Sequence, residues 1–200
     1  MGESWDWKPD GGIPILSHAK EYIGSSRILP PSLMRGAFFQ GDASDDRLYA
    51  FGGTAYYGNT SFPGWVDMPD APPLWVFNTH NNTWIEQNTS IPLQRPNNGA
   101  AADALEAGLS FYLNGQSDNT TQSKNTPNRN GTSIMDGLLV FDHRNMSSVR
   151  NVSTEFEGGR FPRIGGTMNY ISRFGHEGIL VSLGGLWANK TAKPTLEMVG

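Results

Sequence analysis

Histidine, serine and aspartate are the residues of this sequence that could carry a proton, act as a nucleophile or hold a metal ion. The four histidines, His18, His80, His143 and His176, stand far apart. They make no H-x-H or H-E-x-x-H spacing of the kind that sets two imidazoles on one face to grip zinc. His80, His143 and His176 fall in polar stretches and are expected to be exposed turn residues. The stretch "GDASDDR" (41–47) brings Asp42, Asp45 and Asp46 together. A calcium loop needs a longer ladder of oxygen ligands, and this stretch sits where a hairpin must reverse. Ser17 and His18 are neighbours in sequence, which is no evidence of a nucleophile–base pair. There is no G-x-S-x-G elbow and no phosphate-binding loop. With no cysteine in the chain, disulfides and thiolate metal sites are excluded. No catalytic residue, metal site or cofactor is expected.

Asparagine carries a clearer signal. The 200 residues include 16 Asn and 30 Ser plus Thr, so chance placement gives about 2.4 Asn-x-Ser/Thr triplets (16 × 30/200). Eight occur, at Asn59, Asn81, Asn88, Asn119, Asn130, Asn145, Asn151 and Asn189. Such triplets are acceptors for N-linked glycans on exposed loops of secreted proteins. The secretory pathway is therefore the expected location. The first residues lack the charged and apolar regions of a signal peptide, so a leader is expected upstream of Met1, with the chain being part of a longer product.

Composition bounds the fold. Glycine (24) and proline (13) are abundant and charged residues make up 17%, which points to many short strands and turns. A net charge of −4 with no basic stripe argues against nucleic acid and acidic membrane surfaces as partners. No apolar stretch reaches the ~18 residues of a membrane span.

The elements come from a repeated phrase. "RLYAFGG" (47–53), "SFYLNG" (110–115) and "ILVSLGG" (179–185) are apolar runs that stop on glycine, their final glycines 62 and 70 residues apart (115 − 53 and 185 − 115). Upstream of each stands an arginine, then a glycine, then a run of apolar or small residues: "RGAFFQ" from Arg35 and Gly36, "RPNNGAAADA" from Arg95 to Gly99 and beyond, "RIGGTMNYI" from Arg163 to Gly166 and beyond. Downstream, "LWVFN" (74–78) matches "LLVFD" (138–142) at a spacing of 64, and "THNNTW" follows the first as a polar turn leading to Trp84. The unit reads strand, short turn, strand, glycine, long loop, strand, polar turn, aromatic strand: a repeated four-stranded antiparallel meander. Glycine at a strand end permits positive φ. "LWVFN" has the continuous apolar character of a strand covered on both faces. Trp84 is expected to fill the gap between sheets, its removal costing about 3–5 kcal/mol.

These residues resemble the kelch-repeat β-propellers, whose blades carry a diglycine after the second strand and a tryptophan after the third. The resemblance spans nearly the whole chain. It is carried by Arg35, Gly36, Gly52, Gly53 and Trp84 in one blade, by Arg95, Gly99 and Gly115 in the next, and by Arg163, Gly166, Gly184 and Gly185 in the third. It implies an all-β fold of four-stranded blades in an incomplete ring: residues 1–29 end a preceding blade, 30–93 and 94–159 are blades, and 160–200 begin another. "ESWDWK" places Trp5 or Trp7 where Trp84 stands. Asn114–Gly115 replaces the diglycine of the second blade, and Ser148–Val149 stands where its tryptophan is expected. The long blades, "SSRILPPSLMRGAFF" and the many acceptor asparagines are similar to fungal secreted or cell-surface kelch proteins. Galactose oxidases use such a propeller but need a Cys–Tyr cofactor, and "NTHNNTW" lacks the Ser and Gly of a sialidase aspartate box. An open arc of this kind is expected to associate through its sheet edges.

The expected function is a non-enzymatic interaction scaffold, glycosylated and extracellular or at the cell surface, binding protein or glycan through its loops. The alternatives are an intracellular kelch adaptor or cell-polarity protein, and a carbohydrate-active propeller whose catalytic residues lie in other blades. The connections 54–73 and 116–137 are far longer than hairpin loops. Strand direction alternates, so both are expected at one face of the disc, with the short turns 42–46 and 174–178 at the other. The first long connection holds the aromatic set Tyr56, Tyr57, Phe62 and Trp65 as the candidate contact surface.

Overall fold

Positive φ is what ends the second strand of each unit. The pairs Gly52–Gly53 (φ 71° and 98°), Asn114–Gly115 (53° and 93°) and Gly184–Gly185 (70° and 86°) all turn through the left-handed side. Asparagine reaches this conformation more readily than other non-glycine residues, so Asn114 takes the place of a glycine without altering the path. The computed structural model describes residues 21–22, 33–55, 73–122, 131–145, 148–155 and 162–187. Asn59, Asn130, Asn189, Trp5, Trp7 and the aromatic set Tyr56, Tyr57, Phe62 and Trp65 lie outside them.

The strands in chain order are β1 (Glu21–Tyr22), β2 (Leu33–Met34), β3 (Ala37–Phe39), β4 (Arg47–Phe51), β5 (Thr54–Ala55), β6 (Leu74–Asn78), β7 (Thr83–Glu86), β8 (Ala100–Ala104), β9 (Leu109–Leu113), β10 (Gln116–Ser117), β11 (Ser133–Ile134), β12 (Leu138–Asp142), β13 (Val149–Val152), β14 (Arg163–Ile164), β15 (Thr167–Ile171), β16 (Ile179–Leu183) and β17 (Leu186–Trp187). The described part is all-β apart from one 3-10 turn at Leu105–Ala107. The first sheet runs β3-β4-β6-β7 as an antiparallel meander, with β1 added in parallel beyond β7. The second is the antiparallel meander β8-β9-β12-β13, and β15 pairs with β16 as the start of a third. Each unit also closes on itself just past its strand-ending pair: β2 pairs with β5, Asn97 bridges to Gln116, and β14 pairs with β17. The described residues form no closed ring of sheets.

Period-two alternation sends one face of the first sheet into the second. Ala37, Phe39, Tyr49, Phe51, Leu74 and Val76 meet Tyr112, Leu139, Phe141 and Val149 in one core. Phe51 lies edge-on to Tyr112 (centroids 5.1 Å) and to Phe141 (5.0 Å). Trp84 does not lie in the seam with the second sheet. It is half-buried and stands opposite Phe77 across β6 and β7, ring centroids 5.0 Å apart, on the face turned away from the second sheet. The seam between the two sheets is filled by Phe39, Phe51, Tyr112 and Phe141, and Trp75 is fully buried.

Candidate functional site

The arginines of the repeat do not share one position. Arg35 is itself left-handed (φ 60°), and the residues that match it, each just before the glycine that opens a first strand, are Asn98 (55°) and Gly165 (74°). Arg95 lies three residues before Asn98 and is buried, which lowers its pKa to about 10. Arg163 lies two residues before Gly165 and donates to the Gly184 carbonyl (3.2 Å). What repeats is a backbone device. The Asn98 N–H donates to the Arg35 carbonyl (3.2 Å), and the Gly165 N–H donates to the Asn98 carbonyl (2.6 Å). Alignment by residue type hides this register, because the bond uses no side chain.

A polar clamp lies at the same end. The Asn97 Nδ2 donates to the Thr54 hydroxyl (2.6 Å) and to the Asp118 carboxylate (3.0 Å), and Thr120 donates to Thr54 (3.4 Å). Burial alone would raise the Asp118 pKa. Hydrogen bonds from Thr120, Asn97 and Gln116 outweigh it and hold the carboxyl below its usual range. Thr54 opens one long connection and residues 116–121 open the other, so both start at this end. The opposite end gathers the short turns. The Ala43 N–H donates to the Leu105 carbonyl (3.3 Å), and Arg144 reaches the Glu106 carbonyl (3.1 Å) and Asp42 (3.7 Å).

The three aspartates of the acidic turn face different partners: Asp42 accepts from Ser44, Asp45 from Arg47 and Tyr49, and Asp46 lies 3.7 Å from His80. No group of three His, Cys, Asp or Glu side chains among the described residues is placed to hold a metal ion.

His143 corrects the expectation of an exposed turn residue. It begins the turn after β12 but points inward, 4% exposed, packed against Tyr49 of the first sheet with the rings tilted by 49° (centroids 4.3 Å). Its Nε2 lies 2.5 Å from the Ser110 hydroxyl, which donates to Asp103. A serine, a histidine and an aspartate thus meet, but the carboxylate sits on the serine and not on the imidazole Nδ1, and Ser110 is buried. A hydrolytic triad needs the opposite arrangement and an open serine. The sequence held no signal of this group, whose members are brought together by pairing across β8, β9 and β12. His80 and His176 are exposed, as expected.

Burial lowers the His143 pKa, partly opposed by Asp103 and Asp45. Its folded pKa lies below the ordinary value of ~6.5, so the folded state binds fewer protons than the unfolded chain. The associated stability is full above ~6.5 and is lost as pH falls from there towards the folded pKa. Asp45 and Asp118, whose folded pKa values are depressed, lose theirs lower, below about pH 4. Melting temperature is therefore expected to fall in two separate limbs, and His143→Gln is expected to flatten the upper one. A wild-type melting temperature unchanged between about pH 7 and pH 5 contradicts this.

The five described acceptor asparagines, Asn81, Asn88, Asn119, Asn145 and Asn151, are all exposed. Four lie at or beside the fourth strands of the two meanders, β7 and β13. Asn81 and Asn145 hold the same place, 64 residues apart, in the turns before β7 and β13, while Asn88 follows β7 and Asn151 lies in β13. The Thr83 hydroxyl donates to the Asn81 side-chain oxygen (2.6 Å), joining first and third residues of that triplet. No helix among the described residues is long and apolar enough to cross a membrane. Compared with the models of known protein families and with curated proteins, the chain matches none.

Proposed function

We propose that this chain is part of a kelch-type β-propeller that serves as a non-enzymatic interaction scaffold, glycosylated and secreted or held at the cell surface, binding protein or glycan through the loops at its glycine end. The carrying observation is the Asn97 clamp, which joins Thr54 to Asp118 and so starts both long connections at one end of a stack of antiparallel meanders. Long loops on a rigid support are where recognition is usually placed. The first strands of successive sheets, β3, β8 and β15, which lie next to one another, and the exposed acceptors favour the same conclusion.

Binding to an array of immobilised oligosaccharides and to isolated cell-surface proteins tests it. A variant with Tyr56, Tyr57, Phe62 and Trp65 replaced by alanine is expected to lose binding, while one altered at Asp46, His80 and His176 at the opposite end keeps it. Loss confined to the second variant, or hydrolysis of any array oligosaccharide, overturns the proposal.

A further inference from the structure

β13 is the outer edge of the second sheet. An edge strand turns the N–H and carbonyl of every second residue away from its sheet. Ser90 marks that side, its hydroxyl accepting from the Val149 N–H (2.9 Å) and donating to the Val149 carbonyl (3.3 Å). Two residues on, Asn151 turns its backbone the same way, and no described strand pairs with it there. The first sheet has the equivalent edge at β7, and there β1 covers it, with Tyr22 opposite Trp84.

Asn151 is also the first residue of an Asn-Val-Ser triplet and is exposed. It borders an open cleft of about 220 Å³ lined also by Asp136, Gly137, Ser153, Thr154, Glu155 and Pro162. The Asn151 Nδ2 donates to the Asp136 carbonyl (3.4 Å). An amide nitrogen has two hydrogens, so one can be replaced while the other still points at that carbonyl.

We propose that Asn151 carries an N-linked glycan whose first sugar lies in this cleft and whose remainder covers the edge of β13 at Asn151, where no described strand pairs, as β1 covers the edge of the first sheet. This rests on the secretory assignment above. In the joining step the Asn151 Nδ2 bonds to the anomeric carbon of a glycan carried on a lipid diphosphate. The sugar–phosphate C–O bond breaks, the lipid diphosphate leaves with the bonding electrons, and one Nδ2 proton passes to the base of the transferase.

Glycopeptide mapping by mass spectrometry, on protein made in a eukaryotic secretory host, tests the site. Glycan is expected on Asn151 in wild type and Ser153→Thr and none in Ser153→Ala, which is also expected to show a larger oligomeric fraction by light scattering. Ser153 accepts from the Glu155 N–H (3.2 Å), so Asn151→Gln, which leaves that bond intact, is expected to give the same oligomers. Glycan on other acceptors with Asn151 bare overturns this site and leaves the secretory assignment standing. Bare acceptors throughout overturn both. An occupied Asn151 whose loss leaves the oligomeric fraction unchanged overturns the edge role.

Discussion

Phe141→Ala is expected to cost the protein about 4 kcal/mol, within the ~3–5 kcal/mol typical of a truncated buried phenylalanine. Phe141 is 2% exposed and its ring meets two others from the first sheet, Phe39 at 5.5 Å and Phe51 at 5.0 Å. Each such aromatic pair adds about 0.5–1.5 kcal/mol beyond burial, so the truncation removes ring contacts as well as apolar area. Since whole domains are stable by only ~5–15 kcal/mol, the variant is expected to lose its cooperative transition at a much lower denaturant concentration. Trp84→Ala is expected to cost less, because the indole keeps part of its surface in solvent. Equilibrium denaturation of both variants measures the difference. A Phe141→Ala loss below ~1 kcal/mol, or a larger loss for Trp84→Ala, contradicts the packing of the seam.

Gly52→Ala is expected to cost about 3 kcal/mol or more, from two sources. At φ 71° a Cβ costs roughly 1–2 kcal/mol by itself. That Cβ would also stand 2.4 Å from the Pro96 carbonyl oxygen, which belongs to backbone and accepts the Gly53 N–H at 2.6 Å. The clash therefore pushes directly on a bond between the first and second units, and overpacking of this kind costs about 1–3 kcal/mol more. Gly184 provides the control. It has nearly the same φ (70°), but among the described residues the nearest atom to its Cβ would be 4.0 Å away, so Gly184→Ala is expected to show the conformational cost alone. Equal losses in thermal melts of the two variants contradict the close approach of Gly52 to Pro96.

Much of the fold was legible because it rests on side-chain pattern. "RLYAFGG", "LWVFN", "LLVFD" and "ILVSLGG" fall on β4, β6, β12 and β16, where apolar runs between turn residues carry the signal. Three features were not legible. The two-residue pairings β2–β5 and β14–β17 are too short for any period to show. The phase of the repeat depends on which residue adopts positive φ, and Arg35, Asn98 and Gly165 share that role with nothing else in common. His143 looks like a turn residue by its neighbours, and its burial depends on Tyr49, 94 positions away (143 − 49). Of the candidate site, the acceptor positions were plain from their triplets. The clamp that gathers the long connections was not, since Asn97 reads as one more polar loop residue.

In the backbone bonds that pass from Gly165 to Asn98 and from Asn98 to Arg35 the later unit donates to the one made before it, while Gly53 and Ala43 donate forward to Pro96 and Leu105. This bears on the order of events during synthesis. A ribosome adding ~5–20 residues per second needs on the order of 3–13 s to deliver a unit of about 64 residues. A β-hairpin forms in ~1–10 µs, so each meander has time to form before its successor exists. The acceptor carbonyl it needs is already in place on its predecessor. Growth of the stack can therefore keep pace with translation from the N-terminal side, each newly formed sheet docking on the last.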